Sequence, residues 1–395
     1  MEELEEIQSS FEKEKFIPET KVDKRKISFS RLKRRVLRHV WMIRGSVIFF
    51  VILVLFLALL LIKSLVIKSG ADYYLGLARD FVFTPRDKIK IFDGRTNILV
   101  LGKGDVGHEA PDLTDTMILV SVDHQSHKVN LISLPRDIWI TTLRTKLNST
   151  YYWGNKKQPP AQRASGLEGS GGMILAKSSV EEIVGQPVHY ALVLDFSGFK
   201  KIIDVLGGVE VDVERSFSDE KYPIPGREDD LCNGDPEFKC RYETLNFVQG
   251  KQFMDGETAL KFVRSRNAIG DQGTDFARQV RQQKVITAIK DKLLSKEILL
   301  SPKKLTKLKE ALLESTQTDI TPSATAILTR RSIQARDNVY SFILPEDLLL
   351  NPPKSPRYDN LYVFVPKDDN WDKVHKWIEC VFENGECKLD TNDTN

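Results

Sequence analysis

Acids and arginines gather in three short clusters of this sequence, and their spacing is suited to holding an anion. The richest begins at Arg264-Ser265-Arg266, passes through a glycine-bounded loop at 270–273, and reaches Thr274 and Asp275 ahead of Arg278, Arg281 and Gln282. Positions 278, 281 and 282 are related as i, i+3 and i+4, so on a helix they share one face. A helix start adds free N–H groups and a positive dipole end, which favour a bound anion. The plainer alternative is an Asp275–Arg278 pair among surface charges. The second cluster is Pro135-Arg136-Asp137, where Arg136 can grip phosphate oxygens in bidentate fashion with Asp137 orienting it. The third is Gly102-Lys103-Gly104-Asp105 followed by Asp112-Leu113-Thr114-Asp115. Asp105 and Asp115 offer hard oxygens to Mg²⁺, which takes one or two carboxylates and completes its shell with phosphates and water. Turn and cap chemistry is the competing explanation for these acids. Together the clusters suggest a pyrophosphate held by arginines and one Mg²⁺. No Ser-His-Asp set, G-x-S-x-G elbow or H-E-x-x-H stands in the chain. GLEGSGG lacks the Lys-Ser/Thr of a phosphate loop, and His108 is a lone loop histidine.

The elements that would carry these clusters can be read from hydrophobic period and punctuation. Asn97–Leu101, Thr116–Val122 and Lys128–Leu134 read as strands, the last two as a hairpin about a polar turn, with Pro135 ending the third. Residues 154–172 have loop composition. Met173–Val184 and Phe199–Leu206 read as helices, and His189–Leu194 and Val209–Val213 as strands. Ser216–Glu243, rich in Pro, Gly and Asp, reads as an exposed insertion. Helices are expected from Asp255 to Val263, over Asp275–Leu294, across 302–335 with a break near Pro322, and over Asp369–Phe382. Val339–Leu344 and Tyr362–Val365 are late strands. Strands alternating with helices imply an α/β layered domain.

The chain has 395 residues, 41% hydrophobic and 29% charged, enough to bury a large core. Its net charge is +3, unevenly placed: residues 1–63 hold 13 Lys/Arg against 8 Asp/Glu, leaving 45 basic and 47 acidic residues beyond. That near-neutral bulk argues against a nucleic-acid binder. Gly45–Ile62 is free of charge, and with the SLVI that follows Lys63 it is long enough to cross a bilayer. Ten basic residues against one acid between Lys21 and Arg44 keep the N-terminus cytoplasmic and place the rest outside. The plan is a basic tail (1–44), a single-pass transmembrane helix (45–67), a juxtamembrane connector (68–95) and an extracytoplasmic domain. Outside the cytoplasm, the neighbouring cysteines Cys232 and Cys240, and Cys380 and Cys387, would form two local disulfides; four free thiols are the alternative.

The segments NILVLG, LTDTMILVSVD, KVNLISLPRDIWI, KLNSTYYWG, LDFSGFKKIIDVLGGVEVDV, LNFVQGKQFMDGETALKFVRSR and GTDFARQVRQQKVI, in that order, resemble the LytR-CpsA-Psr (LCP) family over roughly residues 95–295. The resemblance implies an αβα layered catalytic domain with a central mixed sheet (96–295) and a C-terminal α/β extension (296–395). It implies an extracytoplasmic ligase that moves a wall glycopolymer from a polyprenyl-pyrophosphate carrier to a peptidoglycan acceptor, forming a phosphodiester with Mg²⁺ as cofactor. It places Asp115 on a metal-binding position. Arg136, Arg264, Arg266, Arg278, Arg281 and Gln282 fall on positions lining the pyrophosphate pocket, Asp275 at the helix start, and Lys146 and Asn148 in a lysine-x-asparagine segment of the same cleft. Asp115 or Asp275 would accept the acceptor-hydroxyl proton, with Arg136 and Arg278 completing the catalytic set. The family often has an aspartate where this chain has Gly104, so either Asp105 serves with a one-residue shift or the metal rests on Asp115. The competing functions are hydrolysis of a polyprenyl pyrophosphate and non-catalytic binding of wall polymer or lipid.

Overall fold

The computed structural model describes residues 71–83, 85–105, 112–157, 171–384 and Cys387, together with Phe49, Leu53, Phe56 and Leu57 as isolated positions. The chain divides into two units, residues 1–75 and 76–395. The tail 1–44 and the segment 45–67 lie outside the described residues except for those four positions, which are helical and exposed. Among the described residues no helix is long and apolar enough to cross a membrane. His108 and most of the loop 154–172 also lie outside them.

The strands are β1 (Arg95–Lys103), β2 (Thr114–Asp123), β3 (Val129–Ser133), β4 (Trp139–Ile140), β5 (Thr145–Lys146), β6 (Tyr190–Asp195), β7 (Val209–Val213), β8 (Phe217–Pro223), β9 (Tyr242–Phe247), β10 (Gly250–Met254), β11 (Thr316–Thr318), β12 (Val339–Ile343), β13 (Leu349–Leu350) and β14 (Val365–Pro366). The helices used below are α1 (Ala71–Phe83), α2 (Thr150–Lys157), α3 (Gly171–Val184), α4 (Phe196–Leu206), α5 (Gly256–Arg264), α6 (Asp275–Leu293), α7 (Pro302–Ser315), α8 (Pro322–Gln334) and α9 (Asp372–Asn384).

A six-stranded mixed sheet runs β11-β6-β1-β2-β3-β12. β1 is parallel to β6 and antiparallel to β2, β2 is antiparallel to β3, and β12 is parallel to β3. The C-terminal ends of β1, β6, β3 and β12 therefore meet the start of β2 at one end of the sheet, where the loops can gather around a ligand. Period-two alternation sends Leu99, Leu101, Met117, Leu119 and Ile132 to one face, against α3 and α9. Ile98, Ile118, Val122 and Leu131 go to the other, against α8. That is the expected αβα layering; β12 matches the expected strand at Val339–Leu344, whereas β11 interrupts the stretch 302–335 expected to be helical up to a break near Pro322.

A second core joins β7–β10 with α5 and the inner face of α6 around Val211, Phe247, Phe262 and Val285. Here the structure corrects the reading of 216–243 as an exposed insertion. Its flanks form the β8–β9 hairpin, with Asp219 fully buried and Tyr222 nearly so; the exposed part is the stretch between them, held by the Cys232–Cys240 disulfide. Leu245 and Phe247, alternating inward on β9, and Tyr222, inward on β8, outweigh the polar composition that suggested a loop. A second disulfide joins Cys380 and Cys387. Three smaller differences follow from local chemistry. Asp195 caps α4 through the Gly198 N–H, so that helix starts earlier than its apolar run. Gly154–Lys157 continue α2 rather than opening a loop. Of Tyr362–Val365 only Val365 is in a strand.

One histidine ties the fold to pH. The Thr96 hydroxyl donates to the Lys90 carbonyl at 2.7 Å, so Thr96 Oγ1 accepts from His124 Nε2 at 2.8 Å. His124 Nδ1 is then left buried without a partner among the described residues. Burial first, then the nearby Arg331 charge, pushes His124 down to about 4. Below an unfolded value of about 6.5 the unfolded chain binds a proton that the folded chain refuses, so stability present above that pH drains away as pH falls toward 4. Thermal melts between pH 7 and 4 should show a falling midpoint, and His124→Asn should flatten that slope.

Candidate active site

Where β3 ends, the chain turns at Pro135 and delivers Arg136 to the middle of three carboxylates. Its Nη1 donates to Asp115 Oδ1 at 2.6 Å, and its Nε lies 3.4 Å from Asp137 Oδ2 and 3.9 Å from Asp275 Oδ1. Asp275 Oδ1 also meets Arg278 Nη2 at 2.5 Å, and its Oδ2 accepts from Gln279 Nε2 at 3.3 Å. Lys146 Nζ stands 2.6 Å from Asp137 Oδ1. Asp115, Arg136, Lys146, Asp275 and Arg278, from four separate stretches of sequence, thus share one ionic network with Asp137.

Backbone and side-chain bonds fix each contributor. The Thr114 hydroxyl donates to the Asn148 carbonyl at 3.1 Å, and the Asn148 N–H to the Arg136 carbonyl at 3.1 Å. Asn148 itself is buried, so its role in this structure is to tie the Lys146 segment to Arg136. Thr274 caps α6 by accepting from the Ala277 N–H. Gln283 Nε2 donates to Ser133 Oγ and the Phe342 carbonyl, pinning α6 to the ends of β3 and β12. Arg278 is only 5% exposed, and burial pulls its pKa down against the pull of Asp275. For Arg136 burial acts the same way, but Asp115 and Asp137 outweigh it and raise the pKa. The Nε atoms of Arg136 and Arg278 are both buried without a hydrogen-bond partner among the described residues.

The other arginines divide. Arg264 lies over the Phe196 ring at 4.4 Å and donates to the Tyr222 hydroxyl at 3.3 Å. Arg266 is exposed. Arg281 departs from the expectation that it lines the pocket. Its guanidinium donates to the carbonyls of Phe262 at 3.1 Å, Gln272 at 2.9 Å and Ser265, so it caps the C-terminal end of α5 and holds the turn that follows. Gln282 is buried beside it. Asp105 Oδ1 accepts the Ser197 N–H at 2.8 Å at the start of α4.

Residues 81–378 match the LytR_cpsA_psr family. The chain belongs to that family. It is 26% identical over 274 residues to TagV of Bacillus subtilis (strain 168), covering 67% of this chain and 59% of TagV. It is 28% identical over 264 residues to TagU of Enterococcus faecalis (strain ATCC 700802 / V583), covering 63% of this chain and 71% of that protein. Both relatives are named polyisoprenyl-teichoic acid–peptidoglycan teichoic acid transferases. The fold matches the crystal structure of B. subtilis TagV with a TM-score of 0.50 at 23% identity, covering 73% of this chain and 97% of that one. It also matches gbs0355 of Streptococcus agalactiae at 0.51 and 22%, covering 75% and 90%.

In this LytR_cpsA_psr chain the ionic network is balanced, with three cationic side chains against three carboxylates. A pyrophosphate added to it would need further positive charge. Asp115 is the acid best placed to hold a cation: its side chain is 38% exposed, and among the described residues its partner is Arg136 through one oxygen. Asp105, bound at one oxygen to α4, retains the other. Among the described residues the three-ligand cluster is Asp230, Cys232 and Cys240, whose sulfurs are joined to each other, so a cation at the site would draw its remaining ligands from phosphate and water. The hard-oxygen donor set fits Mg²⁺.

Sequence reasoning left out Asp219. Its Oδ2 accepts from Ser265 Oγ at 2.7 Å and from the N–H groups of Arg266 and Asn267 at 3.1 Å, and its Oδ1 from the Lys221 N–H at 3.1 Å. It shapes the Arg264–Arg266 turn from 46 residues away. The signal available was a lone acid at an inward position of a strand, which means little without the hairpin register.

Proposed function

We propose that this chain is a membrane-anchored, extracytoplasmic phosphotransferase that moves a glycopolymer from a polyprenyl-pyrophosphate carrier onto peptidoglycan, with Mg²⁺ assisting. The observation that carries the reading is the network of Asp115, Arg136, Asp275 and Arg278 at one end of the sheet, with two buried guanidinium N–H groups that find no acceptor among the described residues. Family membership and the transferase names of the relatives support it. The uncharged run 45–62 and its basic flank support the anchor and the orientation.

The acceptor hydroxyl oxygen forms a bond to the glycan-linked phosphorus as the bridging P–O bond breaks, releasing polyprenyl phosphate. The hydroxyl proton passes to Asp275, which also orients Arg278. Arg136 and Arg278 hold the phosphate oxygens, Arg264 and Arg266 extend the cationic surface, and Lys146 offsets Asp137. Asp115, with Asp105 as the second candidate, would hold the Mg²⁺, which when bound supplies charge neutralisation for the pyrophosphate. Phosphoryl transfer depends chiefly on such positioning and electrostatics.

The test uses the full chain in nanodiscs with a short-chain polyprenyl-pyrophosphate glycan and peptidoglycan fragments. A phosphodiester conjugate should appear by mass spectrometry with Mg²⁺ and vanish with EDTA. Free glycan phosphate without conjugate would replace the ligase with a hydrolase. Conjugate undiminished by EDTA would remove the metal from the reading.

A further inference from the structure

The segment before β14 runs beside the turn that carries Arg136. The Phe364 N–H donates to the Asp137 carbonyl at 2.9 Å and the Trp139 N–H to the Phe364 carbonyl at 2.8 Å, making a parallel bridge between Ile138 and Phe364. Tyr362, two residues earlier, is thereby brought alongside Arg136 and Asp137. The residue is 48% exposed, and its ring stands edge-on to Phe364, 5.5 Å between centroids, while Phe364 packs on the main core. Asn351 Nδ2 donates to the Val363 carbonyl at 2.7 Å and holds the segment from its other side. The result is an exposed aromatic face, rigidly mounted at the rim of a charged site.

Its surroundings narrow the occupant. Burial, then the charges of Asp137, Glu346 and Asp275, raise the Tyr362 pKa, so the hydroxyl stays protonated and these carboxylates are its electrostatic neighbours. Asp137 and Asp275 are already paired with Arg136, Lys146 and Arg278, so Glu346 is the neighbouring carboxylate that stands outside the ionic network. A sugar ring suits such a rim, with an apolar face for the aromatic ring and hydroxyls for the polar groups beside it. We infer that Tyr362, backed by Phe364 and flanked by Glu346, is the platform on which the acceptor sugar ring stacks. This deepens the transferase reading and rests on it for the word acceptor.

The test is binding without turnover. Soluble disaccharide fragments of peptidoglycan are titrated calorimetrically into the full chain in nanodiscs, and a non-hydrolysable polyprenyl-pyrophosphate analogue is titrated separately. Tyr362→Ala should weaken the fragments about tenfold and leave the analogue unchanged, since a well-placed aromatic contact is worth about that factor. Tyr362→Phe keeps the ring and should bind fragments nearly as the parent does, and Glu346→Gln should weaken them by a smaller factor. The half-exposed ring makes the alanine variant safe for folding, checked by its melting midpoint. Unchanged fragment affinity in Tyr362→Ala, or no fragment binding by the parent, overturns the inference. A loss confined to the analogue also overturns it and gives the ring to the lipid. Fragment binding that depends on Tyr362 in a chain that never forms conjugate would sustain the platform while sinking the transferase.

Discussion

Arg278→Ala should lower single-turnover transfer by about 10²–10³-fold, the usual effect of deleting one preorganised donor at developing charge. The arginine is buried, its Nη2 sits 2.5 Å from Asp275 Oδ1, and its Nε has no hydrogen-bond partner among the described residues. Truncation removes a cation from a balanced network and leaves Asp275 with Arg136 at 3.9 Å as its nearest counter-charge. The loss should fall on the chemical step, because the charge is needed most as the bridging P–O bond breaks. Arg278→Lys restores the charge but not the planar fork, and should recover only part of the rate. Conjugate formation is followed under saturating donor, with circular dichroism to show that the α6 helix persists. A rate within threefold of the parent would remove Arg278 from the proposed machinery.

How much of this was legible in the sequence differs from residue to residue. The strands β1, β2 and β3 were readable because buried strands are nearly continuous apolar runs, and Pro135 marks where the third must stop. Arg136, Asp115, Asp275 and Arg278 stood out because acids and arginines at element ends are uncommon without a task. Arg281 shows the limit of helical spacing. The i, i+3, i+4 relation gives a face but not what the face meets, and one turn past Arg278 that face meets the free carbonyls at the end of α5. Asp219 and Tyr362 were beyond local reading, because each acts on a segment far away in sequence through a register that only the folded chain defines. The short strand β11, Thr-Gln-Thr, owes its place to the sheet edge it completes rather than to its own composition, whereas β12 was readable from its β-branched and aromatic residues.

Asp219→Ala should be the most damaging single change outside the ionic network. The carboxylate is fully buried and accepts from one hydroxyl and three backbone N–H groups, two of them belonging to Arg266 and Asn267. Alanine leaves those donors buried or strained without an acceptor. It also leaves the Arg281 guanidinium without the charge that partly offsets its burial, which together with Arg278 already pulls its pKa down to about 10. The cost should be about 3–5 kcal/mol, as for breaking one side of a buried polar pair. In a domain of this size that corresponds to a melting midpoint lower by roughly 5–10 °C. Asp219→Asn keeps the shape and one good acceptor and should lose less. Arg281→Met attacks the same turn from the other side, releasing the carbonyls of Phe262, Ser265 and Gln272. Because Asp219 and Arg281 hold one turn between them, their combined loss should fall short of the sum by about 1 kcal/mol or more, the range for residues in one network. Chemical denaturation of the parent, the two single variants and the double variant measures that shortfall. Strict additivity would mean that the Arg264–Arg266 turn is not the shared object of the two side chains. The same variants should weaken donor binding more than they slow transfer at saturating donor, since the turn presents Arg264 and Arg266 while Arg136 and Arg278 are anchored elsewhere on the sheet and on α6.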